Sequence, residues 1–260
     1  MRGIFQPQGN IVIIARGCYN IPHPFTLMTG ARLTVFAGHY GSGKTLLAIN
    51  YAARLKKEAP DRRVRVVDMD IVNPYFRSAD AGEAMVRLGV EVIASAFAGG
   101  GLEAPALPAE IMSVFDDKES LAVIDLGGDD RGALALGSYA KQMNETDSRM
   151  LLVCNCYRPL SKEPVMARRI KEEIEAASGV RFAGLVNNSN LAAETTALDV
   201  SRSFAYMREV SALCGLPVLF TACRQDLLPE LEAGEVAEHN LFGLSIFYEK
   251  WGFNNAESKL

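Results

Sequence analysis

Residues 38–45 read Gly-His-Tyr-Gly-Ser-Gly-Lys-Thr, which fits the spacing G-x-x-x-x-G-K-[ST]. The chemistry suited to that spacing is phosphate binding. Glycines let successive backbone N–H groups converge on an anion, and the positive end of a following helix reinforces them. Lys44 is placed to neutralise β- and γ-phosphate oxygens, and the Thr45 hydroxyl to ligate Mg²⁺. Gly38, His39, Tyr40, Gly41, Ser42, Gly43, Lys44 and Thr45 are therefore candidate nucleotide contacts, with Lys44 also a catalytic candidate. An apolar strand-like run ends at Ala37 and a helical pattern opens at Lys44, so the motif stands in the context it needs.

A nucleotide–magnesium site also needs a carboxylate at a neighbouring strand end. "LAVIDLGGDD" supplies Asp125 after an apolar run, with Gly128 three residues later. That D-x-x-G spacing lets Asp125 hold a magnesium-bound water while the Gly128 N–H points to a γ-phosphate. Asp68 and Asp70 stand where "VRVVDMD" runs out, and strand alternation puts both on one side. Asp70, further into the loop, is the candidate for orienting an attacking water or an acceptor hydroxyl. "GLVNNSN" places Asn187 at the end of a sixth strand. GTPases carry N-K-x-D in such a place, because its Asp accepts from guanine N1–H and N2–H₂. Counted from Asn187, the fourth residue here is Asn190. An amide suits adenine, accepting from N6–H₂ and donating to a ring nitrogen. The expected cofactors are thus ATP and Mg²⁺, with Asn187 as the base contact and residues 221–226 flanking the base.

The elements that must position these residues alternate along the chain. Near-continuous Val/Ile/Leu runs at 32–37, 63–68, 90–95, 121–126, 150–155, 181–187 and 217–222 are separated by amphipathic stretches. Such alternation predicts a three-layer α/β fold, a mostly parallel sheet of seven to eight strands with helices on both faces. Its chemistry belongs at the carboxyl ends of the strands. Residues 1–29 are turn-rich, with Pro22 and Pro24, and read as an appendage to one domain over 30–260. The glycines at 99–101 suggest a mobile loop near the site.

A length of 260 residues suffices for one large core, and a net charge of -4 offers no whole-protein attraction to nucleic acid or anionic membrane. No apolar run approaches the roughly 18 to 20 residues needed to cross a bilayer. The C-terminal "LFGLSIFYEKWGFNNAESKL" lacks the basic character of an interfacial helix and is expected to pack on its own core or a second subunit. Five cysteines without a C-x-x-C pair fit a cytoplasmic chain, and Cys154 and Cys156 read as residues of a buried strand rather than metal ligands.

With these motifs in hand, residues 30–235 resemble the MinD/ParA/CobQ/CobB group of P-loop proteins, of the SIMIBI class. The phosphate loop, Asp68 and Asp70, Asp125, and Asn187 carry the resemblance. It implies a hydrolytic role for Asp70, a magnesium role for Asp125 and adenine contact by Asn187. Switch members of the group sandwich two ATP molecules between two subunits, which implies a homodimer and a protein client. The sequence departs from them in one respect: their signature lysine falls at position 39, which is His39, followed by Tyr40. The expected function is a Mg²⁺-dependent ATPase switch acting on a protein partner. The alternative is an ATP-dependent small-molecule ligase or kinase of the dethiobiotin-synthetase/CobQ/CobB type, whose members lack that lysine.

Overall fold

The structure is a computed structural model. It describes residues 12–13, 18–19, 30–70, 79–94, 107–128, 130–233 and 240–245. The chain divides into two compact units, Met1–Gly30 and Ala31–Leu260. In the first, β1 (Val12–Ile13) pairs antiparallel with β2 (Cys18–Tyr19). Residues 99–101, and the tail beyond residue 245, lie outside the described residues.

The second unit is built on an eight-stranded sheet. Its strands are β3 (Leu33–Ala37), β4 (Val64–Met69), β5 (Val90–Ala94), β6 (Leu121–Leu126), β7 (Ser148–Cys154), β8 (Phe182–Asn187), β9 (Val218–Arg224) and β10 (Leu241–Leu244). They lie in the order β10-β9-β8-β7-β3-β6-β4-β5, and every pairing is parallel. The predicted strands are found with ends shifted by a residue or two. β3, β4 and β6 are buried at every position, which is why they read as near-continuous apolar runs broken only by the buried Thr34, Arg65, Asp68 and Asp125. Parallel pairing requires crossovers, and these are helical: α1 (Lys44–Glu58), α2 (Ala79–Arg87), α3 (Leu107–Asp116), α4 (Asp130–Gly137), α5 (Ala140–Glu145), α6 (Pro164–Ser178), α7 (Ala197–Cys214) and α8 (Leu228–Glu232).

Alternation sorts the strand side chains into two cores. Leu33, Val35, Ile124, Leu152 and Leu185 pack with Ile111, Val114, Ile170 and Val210 of the helices. On the other side Tyr51 of α1 meets Phe36 edge-on at 5.2 Å and stacks on Phe220 at 6.4 Å between ring centroids. Phe242 joins this cluster, 5.6 Å from Phe220 and 6.2 Å from Tyr51. That packing explains β10, a strand the tail's composition did not announce. Ser245 N–H donating to Asn50 Oδ1 at 2.8 Å ties its end to α1.

Candidate nucleotide site

The carboxyl ends of β3, β4, β6 and β8 carry the phosphate loop, Asp68 and Asp70, Asp125 and Gly128, and Asn187. The phosphate loop leaves β3 at Ala37 and enters α1 at Lys44. Gly43, the residue before the helix, has φ 84°, in the left-handed region, and a Cβ there would collide with Asn188 Nδ2. Lys44 is buried, and its Nζ donates to the His39 carbonyl at 3.1 Å. This curls the loop around the ammonium. The His39 ring Nδ1 lies 3.0 Å from the Tyr40 carbonyl, so the imidazole turns back on its own loop. Tyr40 is 66% exposed.

β6 is the direct neighbour of β3, which sets the acidic side of the site. Thr45 Oγ1 donates to Asp125 Oδ2 at 2.6 Å. Asp125 Oδ1 is buried without a hydrogen-bond partner among the described residues. Desolvation pushes this carboxyl up to about 7, opposed by Lys44 and the Thr45 hydrogen bond and assisted by the charges of Asp68 and Asp70. Asp68 is in register with Asp125 across β4 and β6, so two buried carboxylates stand side by side. Asp70 lies just past β4, half-buried, its N–H donating to Asp68 Oδ1 at 2.9 Å. A hydroxyl beside a buried carboxylate with an orphaned oxygen is a hard-oxygen donor set, and it fits Mg²⁺. Gly128 packs on the loop, where a Cβ would stand 2.6 Å from Tyr40 N and 2.9 Å from Lys44 Nζ. Only glycine permits that approach.

Asn187 is fully buried, and its amide donates to Ser203 Oγ at 2.7 Å and to Thr221 Oγ1 at 3.3 Å. Its Oδ1 accepts from Ser189 N–H at 3.1 Å. These bonds engage Asn187 in joining β8, α7 and β9. The neighbouring Asn188, which the sequence reading passed over, lines the cavity. Its Nδ2 donates to the Ser42 carbonyl at 2.7 Å, and its Oδ1 is buried without a partner among the described residues. Two adjacent asparagines at a strand end point to opposite sides, and only the sheet register decides which faces inward.

The cavity, about 290 Å³, runs from Gly41 and Gly43 past Asn188 to Ala222, Cys223 and Leu244. The stretch expected to flank the base thus contributes its wall. No Asp or Glu lines the cavity among the described residues. Burial pushes the Cys223 thiol up to about 12, so this wall is uncharged there. Cys154 is buried in β7 as expected, whereas Cys156 lies just beyond the strand and is half-buried. Among the described residues no helix is long and apolar enough to cross a membrane.

No family model matches the chain, and no curated protein does. Among solved structures it is similar to chloroplast FtsY from Physcomitrella patens, at 17% identity and a TM-score of 0.50, covering 76% of this chain and 64% of that one. It is also similar to the signal recognition particle 54 kDa protein from Aeropyrum pernix K1 in complex with GDP, at 14% identity and a TM-score of 0.49 over 73% of this chain and 40% of that one. FlhF complexed with GTP/Mg²⁺ is a third, at 14% identity and a TM-score of 0.45 over 74% and 65%. The chain spans less than two thirds of the length of each of these proteins. The eight-stranded parallel sheet, its surrounding helices and the likeness to FtsY show the fold, a three-layer α/β P-loop NTPase fold.

Proposed function

We propose that this protein binds ATP with Mg²⁺ in the loop between β3 and α1, hydrolyses it, and serves as a nucleotide-dependent switch on a protein partner. The observation that carries the reading is the buried Asp125 beside Thr45, one carboxylate oxygen accepting from the hydroxyl and the other without a partner. Uncompensated burial of a carboxylate is costly, and the site recovers that cost when a cation is bound. Thr45 and Asp125 would hold the Mg²⁺, which supplies charge neutralisation at the β- and γ-phosphates. Backbone N–H groups of residues 41–45 cradle the phosphates, and Lys44 offers its ammonium to the transferring group. Gly128 presents its N–H beside Lys44. Asp70 orients the attacking water.

Support for adenine over guanine comes from the base side. Asn188 Oδ1 is an acceptor suited to an exocyclic amine, and the fourth residue counted from Asn188 is Leu191, an apolar side chain. Neither asparagine register supplies the carboxylate that guanine N1–H and N2–H₂ require. At 14–17% identity the likeness to FtsY and the other solved structures leaves the base open.

One observation favours the second reading, an ATP-dependent small-molecule ligase or kinase. The His39 ring is folded onto the Tyr40 carbonyl, which suits chemistry completed within one subunit better than a residue reaching into a second. Sizing the purified chain with and without ATP·Mg²⁺ tests the two. A nucleotide-dependent dimer supports the switch, and an unchanged state with turnover only on addition of an acceptor supports the ligase or kinase.

A further inference from the structure

We infer that Arg158, in the turn that follows β7, binds the α- or β-phosphate of the nucleotide. This rests on the reading above that the cavity takes a nucleoside phosphate. Arg158 lines the same cavity as Gly41, Gly43 and Asn188. A Cβ on Gly41 would stand 3.8 Å from both Arg158 Cδ and Nε, so the guanidinium stem lies along the phosphate loop.

The backbone that delivers it is pinned. Arg158 N–H donates to the Asn155 carbonyl at 3.2 Å, and its own carbonyl accepts from Ser161 N–H at 3.0 Å. Asn155 Oδ1 accepts from Tyr157 N–H at 3.0 Å and from Asn190 N–H at 3.3 Å, and Cys156 N–H donates to Ser189 Oγ at 3.1 Å. The segment is therefore stapled to the loop that follows β8, the one that holds Asn188.

The side chain is not. It is exposed and makes no hydrogen bond or ion pair with the described residues. Arg224, on the opposite wall, is committed: its guanidinium pairs with Asp226 and donates to the Ala193 carbonyl at 2.6 Å. Of these two arginines only Arg158 has all its donors open to a ligand. A nucleotide brings several negative charges to a loop whose own ammonium, Lys44, sits beside Asp125. A second cation beside Gly41 balances them, and a planar guanidinium matches phosphate geometry. Arg158 stands where the cavity meets the loop, the junction between nucleoside and phosphate chain, which selects the proximal phosphates over the γ-phosphate.

The test is titration of the full chain and its R158A, R158Q and R158K variants with ADP and ATP·Mg²⁺, with adenosine as a competitor. Thermal melting establishes that each variant folds. R158A and R158Q are expected to weaken ADP and ATP equally, by about ten-fold or more, as for loss of a charged hydrogen bond. R158K should restore part of the loss, and adenosine should compete equally well in all four proteins. ADP affinity unchanged in R158A would overturn the inference. So would a loss confined to ATP, which would put the contact at the γ-phosphate, or one shared by adenosine, which would put it at the base. If the unsubstituted chain binds neither ADP nor ATP, the nucleotide reading fails and takes this inference with it.

Discussion

Asn188 donates its side-chain amide to the Ser42 carbonyl at 2.7 Å, joining the end of β8 to the phosphate loop across 146 positions of the chain. One residue thereby touches both halves of the site: its amide holds the loop, the residue lines the cavity, and its Oδ1 is buried without a hydrogen-bond partner among the described residues. Asn188→Ala removes both links and should weaken ATP by about ten-fold or more, as for a buried hydrogen-bonding group. Asn188→Asp sets a carboxylate against the Ser42 carbonyl and should be worse. Nucleotide titration of the two variants checks the order.

Asn187 predicts a different outcome. Its amide holds two buried hydroxyls, those of Ser203 and Thr221. Asn187→Ala leaves them with one partner fewer and should cost about 1–3 kcal/mol of stability. ATP affinity, measured well below the melting temperature, should change little. A large loss of affinity with unchanged stability would return the base contact to Asn187.

The contrast between these neighbours shows what a sequence can and cannot disclose here. Strands β3 to β9 were legible because strands largely buried on both faces are mostly apolar, and the loop because G-x-x-x-x-G-K-T has few other uses. Asp125 was legible as a polar residue ending an apolar run. Its pairing with Asp68 was not, because two strands distant in the chain become neighbours only in the sheet. β10 escaped notice since Phe242 draws its meaning from Tyr51 and Phe220, residues far away in sequence. Arg158 lay in a turn-like stretch where one arginine carries no pattern, and only its position beside Gly41 marks it.

Asp125 gives the metal-free protein a pH dependence. Its carboxyl is pushed from 3.8 up to about 7 on folding, mainly by desolvation. Between those values the folded state holds a proton that the unfolded state has lost. Stability from this group is therefore greatest at acid pH, falls as pH rises from about 4 to about 7, and levels off above. Asp125→Asn removes the dependence. Urea midpoints at pH 5 and pH 8, without nucleotide or magnesium, should show the unsubstituted chain losing stability relative to the variant, by up to a few kcal/mol.

Substitution of Asp70 should separate binding from turnover. Its hydrogen bond to Asp68 Oδ1 is made by the backbone N–H, and that bond survives substitution. Asp70→Ala should bind ATP·Mg²⁺ within a few-fold of the unsubstituted chain while phosphate release falls by about two to four orders of magnitude, the range for loss of a general base. Full turnover in this variant would remove Asp70 from the chemistry and leave the nucleotide site standing.

The central claim is an adenine-nucleotide site at the β3–α1 loop. Its most direct test is side-by-side titration of the full chain with ATP·Mg²⁺ and GTP·Mg²⁺, repeated on Lys44→Ala. The account predicts that ATP binds at least about ten-fold more tightly than GTP, as expected when guanine lacks its acceptor. It also predicts that Lys44→Ala binds neither. GTP bound as tightly as ATP, or ATP bound undiminished by Lys44→Ala, would contradict it.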